Sequence, residues 1–288
     1  MTRKTSISRL TQDRLIHVIY ILLIAIPFLM PLGLPLKVTP LAQNFYKTIE
    51  AIPDGGAVLW VNDQGFATWV ELGSGEIALY KHLFSLAQKR GLRLVFATTS
   101  SADGTVLTDR TIREEIIPGG FTKGLKYGEN WVQLGWLPGW ETSLRGLVTD
   151  VRAIARTDYF GTPIDQIPMM KNINSVKDLS LLGNSGYYVD EYGRQWTGLG
   201  KPWIDLLSAT TVAMAKPWIE KGLLTAYLNG QRGCAEYEAI TGYRGFATAA
   251  MDAQSLAHVL GILILLVPST LYLVKLVTGR KSANGDKK

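Results

Sequence analysis

The chain has a single cysteine, Cys234, and three histidines, His17, His82 and His258, in 288 residues. One thiol excludes an intramolecular disulfide framework and any multi-cysteine zinc or iron–sulfur site. His82 is the only histidine away from the apolar runs near the two ends, and it sits beside Leu83 and Phe84 in a helical pattern. A Ser-His-Asp or Cys-His nucleophile therefore has little to be built from, and packing or surface exposure is the expected role of that ring. No G-x-x-x-x-G-K-[ST] occurs, and no G-x-G-x-x-G directly follows a strand-like run, so neither usual phosphate cradle is present. The stretch Gly119-Gly120-Phe121-Thr122-Lys123-Gly124 leads into Tyr127-Gly128 and reads as a loop. Neither a metal nor a cofactor is expected.

Charge is also sparse, at 19% of residues, and its placement is uneven. The formal net charge is +6 and the isoelectric point about 9.3, which by itself would suggest nucleic-acid binding. Residues 37–255, however, hold 21 of the 30 basic side chains and 22 of the 24 acidic ones. The basic excess lies in the tails: Arg3, Lys4, Arg9 and Arg14 at one end, Lys275, Arg280, Lys281, Lys287 and Lys288 at the other. A nucleic-acid face needs its cations clustered on the folded domain, so that class of partner is excluded.

What is present is two long apolar runs. Leu15 to Leu36 carries no charged side chain over 22 residues, and Leu256 to Val274 none over 19; at 1.5 Å rise each approaches or covers the roughly 30 Å hydrocarbon core of a bilayer. The first is too long for a signal-peptide core and no Ala-x-Ala-like site follows it, so an uncleaved anchor is expected. Pro27, Pro31 and Pro35 imply that its helix ends near Met30 and continues as an extended segment. His17 and His258 fall at opposite depths of the two runs, so one chain cannot offer both to one haem iron. Basic residues beside both runs place both termini in the cytoplasm. The expectation is a two-pass cell-membrane protein with tails 1–14 and 277–288, spans 15–36 and 256–276, and an extracytoplasmic domain over 37–255.

That domain alternates strand-like and helical patterns. Ala57 to Asn62 is a compact apolar run bounded by turn residues, Glu76 to Arg90 an amphipathic helix ending at Gly91, and Leu92 to Ala97 a second strand, which together form a βαβ unit. Further helices are expected over 106–117, 141–156 and 232–240, and strands over 131–136, 179–182, 203–208 and 223–228. Apolar strands alternating with amphipathic helices specify a single α/β domain with a doubly wound, mostly parallel sheet. No repeat or low-complexity linker divides it.

Four stretches resemble, in order, an uncharacterised family of prokaryotic two-span membrane proteins. They are Lys126 to Gly139 (KYGENWVQLGWLPG), Gly161 to Leu182 with its Ile-Pro-Met-Met, Gly230 to Glu238 (GQRGCAEYE), and MDAQSLAHVL before the second run. The resemblance covers roughly residues 57 to 275 and implies the same topology and α/β domain; it brings no activity. Two positions depart from the family pattern. Asn184-Ser185-Gly186-Tyr187 stands where a Gly-Pro pair is expected, and Cys234 where alanine is usual.

In an open parallel sheet, ligands bind beyond the carboxyl ends of the strands. The residues there are polar: Asn62, Asp63, Thr98, Thr99, Asn184, Ser185, Gln231 and Arg232, with Glu236 on the helix that follows. These are the candidate ligand-binding residues, although Asn, Asp, Ser and Thr also favour turns for backbone reasons alone. Trp136 and Trp140, flanking Leu137-Pro138-Gly139, are the candidate partner-binding residues, while Trp131 and Trp203 belong to strand-like runs and read as core. The expected function is a membrane-anchored, non-catalytic binding module, an accessory or scaffold subunit with a protein partner or a second copy of itself. The alternative is an extracytoplasmic hydrolase using Asp63 with Glu236. A polar pocket joining Asp63, Thr98, Asn184 and Glu236 would favour ligand binding or catalysis; a flat sheet edge filled by aromatic side chains would rule against the enzyme.

Overall fold

The structure is a computed structural model that describes residues 4–285, with side-chain surroundings for residues 14–276. The tail charges on which the orientation rests, Arg3, Lys4, Arg9, Arg280, Lys281, Lys287 and Lys288, lie outside those side-chain limits. Residues 35–248 form one compact unit, and residues 4–34 with 249–285 belong to a second.

The first unit holds one six-stranded sheet in the order β3-β2-β1-β4-β5-β6, every neighbouring pair parallel. The strands are β1 (Ala57–Asp63), β2 (Arg93–Thr98), β3 (Trp131–Trp136), β4 (Leu181–Gly186), β5 (Trp203–Leu207) and β6 (Ala226–Asn229). This order reverses direction between β1 and β4, where a doubly wound sheet opens its crevice. All seven residues of β1 are buried, as a strand covered on both faces requires. Successive side chains alternate. Ala57, Leu59 and Val61 join Leu182, Trp203 and Leu207 in a core closed by α5 (Glu141–Thr149) and α7 (Val189–Trp196). Trp60 and Asn62 turn the other way, toward α3 (Phe66–Arg90) and α4 (Ala102–Thr111). Each large apolar side chain so buried contributes about 1.5–3 kcal/mol.

The helices differ from the sequence expectation in instructive ways. Helix α3 begins at Phe66, ten residues before the expected start, and ends at Gly91, which adopts the left-handed conformation (φ 67°) as anticipated. The segment up to Glu76 reads as a loop because it contains Gly73 and Gly75, yet both glycines are packing surfaces inside a helix. A Cβ on Gly75 would lie 2.4 Å from Cys234 Sγ on α9 (Gly230–Thr241). The helix expected over 106–117 is α4 followed by a π-helical turn, Ile112–Ile116. The helix expected over 141–156 is interrupted at Asp150, whose extended backbone (φ −155°) and side chain, bonded to Arg152 N, start the short α6 (Val151–Ile154). Strand β4 runs on to Gly186, so Asn184 and Ser185 lie within the sheet and not in a turn. Helix α2 (Pro40–Glu50) opens on Thr39 as N-cap with proline in its first turn, and α8 (Val212–Glu220) packs beside α7 against the core that α5 and α7 close.

In the second unit, α1 (Lys4–Leu29) ends one residue before Met30 and an extended segment follows, as the prolines predict. The backbone N–H groups of Gly33 and Leu34 donate to the buried Asp252 carboxylate at 2.8 and 2.9 Å. Helix α10 (Phe246–Gly285) contains one stretch, Phe246–Leu276, that is long and apolar enough to cross a membrane; the apolar part of α1, Arg14–Leu29, is shorter than that requirement.

Candidate functional site

Adjacent registers bring the predicted polar residues to the carboxyl ends of the central strands. Val61 lies opposite Asn184, Asn62 opposite Ser185, and Asn184 opposite Asp205. Alternation then sends them to opposite faces, and two separate networks result.

On the α3 face, Asn62 donates through Nδ2 to Thr108 Oγ1 (3.1 Å) and Gly104 O (3.4 Å), and accepts at Oδ1 from Gln64 N (3.2 Å) and Ser185 Oγ (3.3 Å). Its amide capacity is used up within the protein. Beneath it, Glu76 accepts from Trp60 Nε1 (2.6 Å) and Gln64 Nε2 (2.8 Å). Burial raises its carboxyl to about 7 against the opposing effect of four donors, Ser185, Trp60, Tyr80 and Gln64.

On the opposite face, Asp63 accepts from Thr99 N (2.7 Å), Ser100 N (3.0 Å), Thr99 Oγ1 (2.7 Å) and Tyr192 OH (2.5 Å). It therefore caps the loop that leads into α4 and fastens α7 to the sheet. Thr98 is buried, and its carbonyl accepts from Leu137 N at 2.8 Å. Asn184 Oδ1 accepts from Trp203 Nε1 (2.7 Å). Asn184 Nδ2 and both carboxylate oxygens of the fully buried Asp205 have no hydrogen-bond partner among the described residues. Burial pushes the Asp205 carboxyl well above the carboxylate range.

The remaining three candidates belong to α9. Gln231 is half-buried and Arg232 exposed, and Arg232 Nε donates to Glu236 Oε1 at 3.0 Å. Glu236 itself is buried and accepts from Thr39 N (2.9 Å) and Thr39 Oγ1 (2.5 Å). Arg232 and Glu236 line a small cavity of about 210 Å³ beside the start of α2. Asp63 and Glu236 share no partner, and no two of the four residues Asp63, Thr98, Asn184 and Glu236 have a bonding partner in common.

Two positions further along α9, Glu238 is fully buried and accepts from Gly245 N (2.9 Å), Ala247 N (3.3 Å), Thr248 N (2.8 Å), Thr248 Oγ1 (2.5 Å) and Ser74 Oγ. Between the two carboxylates, Tyr237 OH meets His82 Nδ1 (2.7 Å), whose Nε2 meets Glu50 (2.8 Å). The Ala-Glu-Tyr-Glu sequence thus holds the N-cap of α2, the inner faces of α2 and α3, and the first turn of α10. Glu76, Asp205 and Glu238 are absent from the sequence-level candidates.

The rings behave differently from the carboxylates. Trp131 and Trp203 are buried as expected, whereas Trp136 is 48% and Trp140 36% exposed. Trp140 is the one non-glycine residue with positive φ among those described (φ 50°, ψ −115°), a conformation costing about 1–3 kcal/mol. Its ring packs edge-on against Tyr188 with centroids 4.4 Å apart, and Tyr187 beside it is 39% exposed. The carboxyl ends of β3 and β4 therefore present aromatic surface to solvent.

No protein-family model matches the chain, and no curated protein does. Among solved structures, that of MT0777 aligns over 65% of this chain and 95% of its own length, at 8% identity and a TM-score of 0.32.

Proposed function

We propose that this chain is a membrane-anchored, non-catalytic binding module, an accessory or scaffold subunit of a membrane-associated assembly. Two spans hold it with both termini in the cytoplasm, and the α/β domain meets a protein partner through the aromatic carboxyl edge. The observation that carries this reading is Trp140, kept in a strained backbone conformation with its ring exposed next to Tyr188 and near Trp136. Strain of this kind persists where surrounding structure enforces it, and exposed tryptophan and tyrosine are the side chains that dominate binding energy at interfaces. The hydrolase alternative has less to support it, because Asp63 and Glu236 are occupied by separate structural hydrogen bonds.

The test is isolation of the full chain from membranes in a mild detergent, followed by native mass spectrometry. A partner protein should be retained by the native chain and its retention should fall at least about tenfold on replacing Trp136 and Trp140 together by alanine, as for interface hot spots. Repeated isolation as a lone monomer, or unchanged retention by the double variant, would refute the reading. A C-terminal reporter active only outside the cytoplasm should stay silent; a strong signal would overturn the orientation.

A further inference from the structure

A groove of about 560 Å³ lies away from the sheet edge, between the outer side of α3 and the turn that leads into α10. Its apolar wall is Trp69, Val70, Ile77 and Phe246, and two cations, Lys81 and Arg244, border it with one carboxylate, Glu115. Lys81 is already answered by Glu115 at 2.8 Å. Arg244 is exposed and makes no ion pair among the described residues. The backbone N–H groups at the adjoining start of α10 are taken by Glu238, so a ligand anion entering here would be read by the Arg244 guanidinium.

The volume falls within the roughly 300–1,000 Å³ range of small-molecule sites, and the lining has their usual character, an apolar and aromatic body with a few polar groups. The required occupant has an apolar body and one negative group. A guanidinium suits phosphate through two parallel N–H donors. Phe246, in the wall, is also the first residue of the apolar stretch that reaches Leu276. We infer that this groove binds one acyl chain of an anionic phospholipid from the surrounding bilayer, with Arg244 holding the phosphate. The inference rests on the membrane-anchored reading.

Native mass spectrometry of the full chain in neutral detergent, supplied with phosphatidylglycerol or phosphatidylcholine of the same acyl composition, tests it. One phosphatidylglycerol should be retained at least about tenfold better than phosphatidylcholine, and Arg244→Gln should remove the preference while the thermal midpoint stays unchanged. Phosphatidylglycerol brominated on its chain should quench native fluorescence more than that of Trp69→Phe, because Trp69 lines the groove. Equal retention of the two lipids, a preference surviving Arg244→Gln, or a polypeptide held there and released by that substitution would overturn it. Alkaline carbonate extraction separates the failures. A chain washed off membranes sinks the anchored reading itself, whereas a chain that stays embedded without lipid preference sinks only the groove.

Discussion

Glu76 makes the domain's stability depend on pH in a way that can be worked from its surroundings. Its carboxyl is raised from 4.5 to about 7 by complete burial. Below pH 4.5 the group is protonated in folded and unfolded chains alike. Between 4.5 and 7 the unfolded chain has released the proton and the folded chain still holds it, so stability falls as pH rises, by about 1.4 kcal/mol per pH unit. The loss is complete above pH 7 and totals about 3 kcal/mol, a large part of the roughly 5–15 kcal/mol typical of a folded domain. Glu76→Gln keeps the shape and cannot ionise. Its NH2 group faces one of the donors Trp60 Nε1 or Gln64 Nε2, which adds a pH-independent cost of about 1–3 kcal/mol. Urea unfolding of the full chain in neutral detergent, followed by tryptophan fluorescence at pH 4.5 to 8, should show the stability of the native chain relative to the variant falling by about 3 kcal/mol across this window. His82, which burial drives toward its neutral form, contributes the opposite slope in both proteins and cancels in the difference. Parallel curves, with a constant offset between the two proteins, would refute the argument.

Two further outcomes follow from the packing. Gly104→Ala would place a Cβ 1.9 Å from the carbonyl oxygen of Asn62, and a strand backbone cannot move aside as a flexible side chain can; the urea midpoint should fall by the equivalent of about 3 kcal/mol, and an unchanged midpoint would contradict the close approach of α4 to β1. Glu238→Gln removes the charge from hydrogen bonds to three backbone N–H groups, so amides 245–248 should exchange with deuterium faster and stability should drop by about 1.5–3 kcal/mol; intact protection at those amides would show that the first turn of α10 is held by something else.

The parts of this fold that were legible in the sequence are those decided by local pattern. Ala57 to Val61 is apolar without a break and bounded by turn residues, and a strand buried on both faces has no other way to look. The amphipathic second half of α3, its Gly91 terminus and the end of α1 near Met30 follow in the same manner from spacing and proline chemistry. The first half of α3 was illegible because glycine has two uses. Gly73 and Gly75 lower helix propensity, which is a local effect, yet they sit in a helix because Trp69 and Cys234 press on them, and Cys234 is distant in sequence. The same ambiguity governs the polar strand ends. Asn184 and Ser185 have turn-like side chains, but Trp203 Nε1 donates to Asn184 Oδ1 and Ser185 Oγ donates to Asn62 Oδ1 within the buried strand, which leaves only Asn184 Nδ2 unanswered. Glu236 could be placed on a helix from sequence, whereas its partner Thr39 lies 197 residues away. A carboxylate's chemistry depends on whether its lone pairs are already occupied, and that is a tertiary property. Trp136 and Trp140 were recognisable because a Pro-Gly break between two large rings at the end of a strand leaves little helix or sheet in which to bury them. Aromatic exposure at an edge is encoded locally; the inward capture of Asp63, Glu236 and Glu238 is encoded only by the folded chain, which is why these carboxylates become structural ties while the rings stay at the surface.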